Sequence, residues 1–210
     1  MNKILFQLKM TITVFLSVMS WPVLACPIGD GSAMFKPVQT PKAFVQNRDG
    51  AHPFSLIEPI NFAINNNGNI VVIDSQAGQI KVLTLQGKEL KYFATQGSLP
   101  GQLNHAKGLA LDEKNNIFIA DTGNHRIQRF DSHGRFIKAW GQWGNGENEL
   151  NNPTGITVDK QFVYVSDTGN NRIVIFKKNG QFIRSFGAYG QGDKQFNQPL
   201  GIATDGFGNL

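Results

Sequence analysis

Residues 108–141 read GLALDEKNNIFIADTGNHRIQRFDSHGRFIKAWG, and residues 155–187 read GITVDKQFVYVSDTGNNRIVIFKKNGQFIRSFG. With one residue of slack after the first aspartate, the two stretches align throughout. The step is 47 residues from Gly108 to Gly155 and 46 from Gly155 to Gly201, where GIATDGFGNL opens another copy. A repeat period of about 20 to 50 residues is typical of solenoids and propellers. The repeat therefore decides the fold.

The repeat also extends toward the N-terminus. Residues 61–94, NFAINNNGNIVVIDSQAGQIKVLTLQGKELKYFA, form a fainter copy that begins 47 residues before Gly108. The spacing predicts one repeat domain over residues 58–210. Its expected units are 59–105, 106–152, 153–198 and a partial unit at 199–210.

Each unit contains four short apolar or alternating runs separated by turn residues. In the second unit we place these runs at 107–112, 116–121, 126–131 and 135–140. They are too short for helices and rich in Ile, Phe and Leu, which favours strands. The residues between them, such as Ser132-His133-Gly134, tolerate tight or left-handed backbone. Four antiparallel strands per unit predict an all-β chain built from β-propeller blades.

The motifs ADTGNHRIQRFDSHGRF at 120–136 and SDTGNNRIVIFKKNGQF at 166–182 resemble NHL repeats. The first unit departs from the pattern, because Gln76-Ala77-Gly78-Gln79 stands where the turn arginine is expected. The resemblance implies a six-bladed propeller. Six units of this size need far more chain than 58–210, so we expect about three complete blades plus a partial one. The expected explanation is a fragment of a longer reading frame, with assembly of two half-propellers as the alternative.

Residues 1–25, MNKILFQLKMTITVFLSVMSWPVLA, have two lysines, an apolar run and a small-residue end. This order is typical of a secretory signal peptide. Threonines, serines and Pro22 interrupt the run too early for a membrane span. The sequence therefore predicts export, to the periplasm or the cell envelope.

Cys26 is the single cysteine and follows the expected cleavage point directly. The sequence V-L-A-C resembles the bacterial lipobox, which implies an acylated Cys26 and a membrane-anchored lipoprotein; ordinary signal-peptidase cleavage at the same bond is the alternative. Residues 26–57 are proline-rich and lack periodicity, so we expect a tether or irregular lead-in. A lone cysteine also excludes an intramolecular disulfide and a cysteine-cluster metal site.

The charge balance is mildly basic. Twenty basic and 15 acidic residues give +5, and removal of Lys3 and Lys9 with the signal peptide leaves 18 minus 15, or +3. Some NHL domains bind RNA, and this is a second alternative function. Interleaved acids and the expected export argue against nucleic acid as a partner.

Blade topology sorts the candidate binding residues by face. The turn between the second and third strands and the connection to the next blade emerge at one end of a blade. Long loops commonly bind ligands, so we expect a protein or small-molecule partner there. The candidate ligand-facing residues are His105, Lys107, Asn124, His125, Arg126, Trp143, Asn170, Asn171, Arg172 and Tyr189.

Residues that recur in every unit favour a scaffold role, because a binding site is needed once and a turn is needed every time. Asp74, Asp121 and Asp167 head these turns and are predicted to accept backbone N–H bonds. Arg126 and Arg172 follow five residues later and can pair with them. An arginine ring at a propeller mouth could also bind anions.

His125 is the candidate for chemistry, since histidine serves as metal ligand, acid or base. The motif D-T-G-N-H-R-I resembles the histidine-bearing turn of peptidyl-hydroxyglycine amidating lyases, whose propeller holds zinc. The family pattern implies a further histidine directly before the glycine of a first strand, where this chain has Lys107, Thr154 and Leu200. A metal-dependent lyase is therefore the first alternative. We predict no catalytic residues, no metal and no cofactor, and a non-catalytic binding scaffold at the cell envelope.

Overall fold

A computed structural model of the chain describes residues 55–205 and 209–210. Leu56–Leu210 form one compact unit. The signal peptide, Cys26 and nearly all of the 26–57 lead-in lie outside the described residues, so their predicted roles stay predictions. No helix within the described ranges is long and apolar enough to cross a membrane.

Three four-stranded antiparallel sheets follow one another along the chain. In each sheet the strands lie in sequence order, so every strand pairs with its neighbours in the chain. Blade 1 contains β1 (Pro59–Ile64), β2 (Ile70–Asp74), β3 (Gln79–Leu83) and β4 (Glu89–Phe93). Blade 2 contains β7 (Gly108–Leu111), β8 (Ile117–Asp121), β9 (Arg126–Phe130) and β10 (Phe136–Trp140). Blade 3 contains β11 (Pro153–Val158), β12 (Phe162–Asp167), β13 (Arg172–Lys177) and β14 (Phe182–Phe186).

The connections between blades carry a smaller repeated feature. After blade 1, β5 (Thr95–Gln96) and β6 (Gln102–Leu103) form a short parallel pair. Trp143 pairs with Leu150 after blade 2, and Tyr189 pairs with Phe196 after blade 3, each through a single parallel bridge. Every connection is therefore a closed loop pinned by a buried or half-buried apolar residue.

The core lies between the blades rather than within one sheet. Phe118 of β8, Trp140 of β10 and Phe176 of β13 are all buried and form edge-to-face contacts from blade 2 into blade 3. Such aromatic pairs stabilise beyond the area that they bury. Because each blade is too thin to bury its own faces, the neighbouring blade supplies the other half of the core.

The first strands lie closest together, and glycine makes this possible. A Cβ atom at Gly108 would clash with the carbonyl oxygen of Thr154 in the next blade. Gly155 repeats this contact with Leu200. The expected all-β propeller with three complete blades is confirmed. Residues 199–205 carry no assigned strand, although Leu200 lies beside Gly155 as the first strand of a further unit would.

Candidate functional site

The turns between second and third strands meet the interblade connections at one end of the blades, which we call the connection end. It comprises residues 94–107, 121–126, 141–152, 167–172 and 187–199. Gly123 donates its N–H to the carbonyl oxygen of Asn104 at 2.9 Å, and Gly169 does the same to Asn151 at 2.8 Å. A Cβ atom at Gly123 would lie 2.8 Å from that oxygen, so the turn needs glycine to approach the connection.

A buried carboxylate fixes each of these turns. Asp121 is fully buried and accepts the Asn104 backbone N–H at 2.7 Å. Its other oxygen accepts from Asn124 Nδ2 at 2.9 Å, Arg126 Nε at 2.8 Å and Gln128 Nε2 at 2.9 Å. These bonds join β8, the turn, β9 and the connection into one unit.

Blade 3 repeats the same network. Asp167 accepts the Asn151 N–H at 2.6 Å, Asn170 Nδ2 at 2.8 Å and Arg172 Nε at 2.7 Å. The repetition shows that the geometry belongs to the repeat rather than to one blade.

The two turn arginines hold the connections through backbone carbonyls. Arg126 donates from Nη1 to Ser98 O at 2.8 Å and from Nη2 to Leu99 O and Gln102 O at 2.9 Å. Arg172 makes the corresponding bonds to Asn145, Gly146 and Glu149. With the carboxylate, four of the five guanidinium N–H groups have protein acceptors, and each arginine side chain is only 13% exposed. Anion binding by these arginines stays a prediction that the geometry does not favour.

His125 and Asn171 occupy the same turn position in successive blades, and the side chain of each accepts a backbone N–H from the following connection. Both have left-handed backbone, with φ of 54°. His125 Nδ1 accepts the Asn152 N–H at 3.1 Å, and Asn171 Oδ1 accepts the Gln198 N–H at 2.8 Å. Because Nδ1 accepts, a neutral His125 ring carries its proton on Nε2. The His125 side chain is half-buried, and its bond to Asn152 supports the turn.

His105 and Lys107 are exposed at the start of blade 2. His105 Nδ1 lies 2.7 Å from the side-chain oxygen of Asn104 and so follows the connection rather than the His125 turn. Residues 55–205 and 209–210 contain no group of three or more His, Cys, Asp or Glu side chains arranged to hold a metal ion.

Trp143 and Tyr189 are the most exposed aromatic side chains at the connection end, each at 71%. They occupy the same repeat position, and Gln96 occupies it in the first connection. Trp143 lines a cleft together with Gly144, Asn145, Glu149, Asn151 and Asn170. Of the residues selected from the sequence, the structure therefore brings Trp143 and Asn170 together.

Glu149 is the only titratable group of this cleft. The backbone N–H of Gly146, the Gln142 amide and the backbone N–H of Asn145 donate to its carboxylate and lower its pKa, against a smaller opposing effect of desolvation. The charge is thus already bonded within the protein.

Asn104, Asn151 and Gln128 are site residues that sequence reasoning missed. Asn104 and Asn151 recur 47 residues apart, directly after the leucine of each connection. That recurrence was the available signal. Nothing in the sequence marks Gln128, whose side chain is fully buried against Asp121 and the Gln102 carbonyl.

Comparison with known proteins fits this repeated geometry. The NHL repeat family matches residues 103–130 and 150–176, which contain both Asp-Arg networks. The chain carries NHL repeats. Blade 1 lies outside the matched stretches. No curated protein matches the sequence.

Several solved propellers share the fold. A streptogramin B lyase structure superposes with a TM-score of 0.51 at 15% identity, covering 64% of this chain and 43% of that one. Kuenenia stuttgartiensis hydrazine synthase gives 0.55 at 14%, covering 76% and 43%. A nidogen/laminin complex gives 0.53 at 19%, covering 73% and 56%. At these identities the likeness concerns the fold, and this chain spans about half the length of the proteins that it matches.

Proposed function

We propose that this NHL-repeat chain is an exported, lipid-anchored scaffold that binds a partner through its connection end and performs no catalysis. One observation carries the proposal. The groups capable of chemistry in the repeated turns, Asp121, Arg126 and His125, all have protein partners. Trp143 and Tyr189 of the same end are exposed instead. Exposed aromatic rings beside a rigid network are suited to binding rather than to proton transfer.

Export and anchoring rest on residues 1–26. The signal-peptide pattern and the lipobox-like V-L-A-C support cleavage before Cys26 and acylation of its thiol. The proline-rich lead-in would then separate the propeller from the membrane. Intact mass spectrometry of the membrane fraction should show acyl groups on Cys26. Cys26→Ala should move the protein to the released fraction, whereas an unmodified N-terminal cysteine would remove the anchor and leave export standing.

One of the proteins with a similar fold supports a role in protein binding. One of them is solved as a nidogen/laminin complex, so a related propeller fold occurs in a protein assembly. Propeller ends present several loops on a rigid support, which lowers the entropy cost of binding.

Site-specific photocrosslinking in intact bacterial cells tests the binding surface. A photoreactive residue at Trp143 or Tyr189 should give adducts with envelope components. The matched control is His133, whose side chain is 77% exposed in the turn between β9 and β10, at the opposite end. Equal labelling at the two ends would overturn the assignment of the binding surface.

A lyase is the second candidate, and the likeness to the streptogramin B lyase fold together with His105 and His125 at one end favours it. Under this alternative, purified protein would contain about one zinc per chain. It would also turn over a hydroxyglycine-extended peptide. Loss of both metal and turnover in His125→Ala would replace the scaffold proposal with the enzyme.

A further inference from the structure

The cleft beside Trp143 contains an unusual combination of exposed side chains. Its backbone is fixed, because Trp143 pairs with Leu150 and Gly144 donates its N–H to the Leu150 carbonyl at 3.2 Å. Trp143 nevertheless remains 71% exposed, whereas the chain's other described tryptophan, Trp140, is only 8% exposed. Tryptophan side chains are highly buried on average. A rigid loop that holds one in solvent therefore indicates a surface that is covered by a ligand.

The cleft offers no free charge. Glu149 accepts three N–H bonds, from Asn145, Gly146 and Gln142. Arg172, which lies behind the cleft, bonds to Asp167 and to three carbonyl groups. An ionic ligand would find neither an unpaired cation nor an unpaired carboxylate among these groups, which disfavours an anion or a charged peptide.

The free polar groups of the cleft are neutral amides. The Asn151 side chain has no hydrogen-bond partner within the part of the chain that the structure describes, and its backbone N–H is held by Asp167. Asn170 Nδ2 donates to Gly144 O and to Asp167, so its side-chain oxygen faces no donor among the same residues. The Asn145 side chain also has no hydrogen-bond partner among the described residues, since only its backbone N–H and carbonyl groups are bonded. The cleft thus presents an aromatic face, two complete side-chain amides and one carbonyl oxygen.

We infer that this cleft binds a sugar ring of a neutral oligosaccharide. A pyranose has an apolar face of C–H groups, which fits against an indole. Its edge carries hydroxyl groups that both donate and accept, and these match the side-chain amides. An apolar ligand would leave the Asn151 amide unpaired, which costs free energy. The inference rests on the proposed binding role of the connection end and names its ligand class.

The repeat also gives the ligand a direction. Tyr189 stands at the Trp143 position of the next connection and is equally exposed, while Gln96 stands there in the previous one. The repeat position on the blade 3 side thus carries a second exposed ring, and the one on the blade 1 side carries none. The inference therefore includes a direction: a ligand of more than one sugar unit would extend from Trp143 toward Tyr189.

Titration of the full chain with chitotetraose, cellotetraose and maltotetraose tests the inference. At least one of these should bind and change the tryptophan emission, since Trp143 is the exposed reporter. In the variants that lack this reporter, calorimetric titration measures the affinity. Trp143→Ala should weaken binding at least about 10-fold, which corresponds to about 1.4 kcal/mol. Trp143→Phe keeps a ring and should stay within about 3-fold. Tyr189→Ala should weaken binding of the tetrasaccharide more than binding of the disaccharide built from the same sugar, which is titrated alongside it.

His133 provides the control, because its side chain is 77% exposed in the turn between β9 and β10, at the end opposite the connections. His133→Ala should bind as the unchanged protein does. Affinity for no tetrasaccharide, or equal affinity in Trp143→Ala, would overturn the saccharide assignment. If crosslinks at Trp143 persist in that case, the binding role survives with another ligand class. If they are also lost, both proposals fall.

Discussion

Blade 1 and blade 2 each contain a buried aspartate at the same repeat position, but the basic residue that pairs with it stands at a different position in each blade. In blade 2, Arg126 follows Asp121 by five residues and lies 2.8 Å from it. In blade 1 that position is Gln79, and Lys81, seven residues after Asp74, approaches the carboxylate at 3.4 Å instead. Because side chains two apart on a strand share a face, either position can reach the aspartate. The repeat conserves the buried charge pair rather than the residue that completes it.

The two solutions hold the neighbouring chain differently. Arg126 adds three bonds to the connection, whereas a lysine is a compact point charge without a planar fork. Asp74 accepts the N–H groups of Ile57 and Glu58 in place of the single Asn104 N–H. In blade 1 the aspartate itself bonds to two backbone N–H groups of the preceding segment. In blade 2 the aspartate bonds to one such group, and Arg126 adds three bonds to the connection.

Removing the carboxylate of blade 2 should have the largest effect. Asp121→Ala leaves Arg126 mostly buried without its counterion and frees Asn104, Asn124 and Gln128 from their acceptor. We expect a loss of about 3–5 kcal/mol in the free energy of unfolding, measured by urea denaturation. Asp205→Ala, at an exposed position without assigned secondary structure, is the control and should cost far less. A loss below about 1 kcal/mol for Asp121→Ala would contradict the network.

Transplanting the blade 1 solution into blade 2 tests the comparison directly. Arg126→Gln should cost about 2–4 kcal/mol, since it leaves a buried carboxylate with weaker donors. Gln128 occupies the position of Lys81, so adding Gln128→Lys should recover about 1 kcal/mol by restoring a paired charge. Thermal unfolding of the single and double variants measures this. A double variant less stable than Arg126→Gln alone would show that the two blades are not interchangeable.

The left-handed turn position should respond less. His125→Asn copies blade 3 and should change stability by less than about 0.5 kcal/mol, because Asn tolerates this backbone and supplies an acceptor. His125→Ala loses the bond to Asn152 and should cost about 1 kcal/mol. Both variants should fold cooperatively by circular dichroism. If His125→Asn were the more damaging of the two, the capping role would be wrong.

Tyr164 of blade 3 stands where blade 2 has Phe118, and its hydroxyl has a partner that a phenylalanine cannot have. Desolvation and the Asp159 hydrogen bond at 2.7 Å raise the pKa of Tyr164 to about 12. Desolvation of Asp159 is outweighed by donors from Phe162, Tyr164 and Gln161, so the pKa of that carboxyl is lowered.

The two shifts give opposite pH dependences. The Tyr164 contribution is complete below its unfolded pKa near 10 and is lost as pH rises toward about 12. The Asp159 contribution is present above its ordinary pKa of 3.8 and is lost as the pH falls through the lowered value. Tyr164→Phe should cost about 0.5–1.5 kcal/mol at neutral pH and flatten the alkaline arm of the stability profile. An unchanged alkaline arm would contradict the pairing.

Much of the fold could be predicted from the sequence repeat alone. Strand length, turn residues and the 46–47 residue step place β7 to β10 within a residue or two of the expected runs. These features are local, since alternation, glycine and Asx turns act over a few positions. The buried aspartates were also visible, because they recur.

The candidate site could not be predicted in full, because many of its contacts are made by backbone atoms, which no residue type in the sequence reveals. The acceptors of Arg126 are the carbonyl groups of Ser98, Leu99 and Gln102, and any residue carries a carbonyl. The sequence placed Arg126 and Asn124 among the ligand-facing residues, whereas the structure turns their donors toward the connection and Asp121.

The sequence by itself determined the repeat, the strands, the turn residues and the choice of Trp143 and Tyr189 as candidates. Only the tertiary structure decided that Lys81 replaces an arginine, that His125 caps Asn152, and that Asn151 and Asn170 join Trp143 in one cleft. The physical reason is range: backbone preferences and hydrophobic alternation are encoded between near neighbours. Hydrogen bonds and clefts at the connection end instead join residues about half a repeat apart, through the packing of one blade against the next.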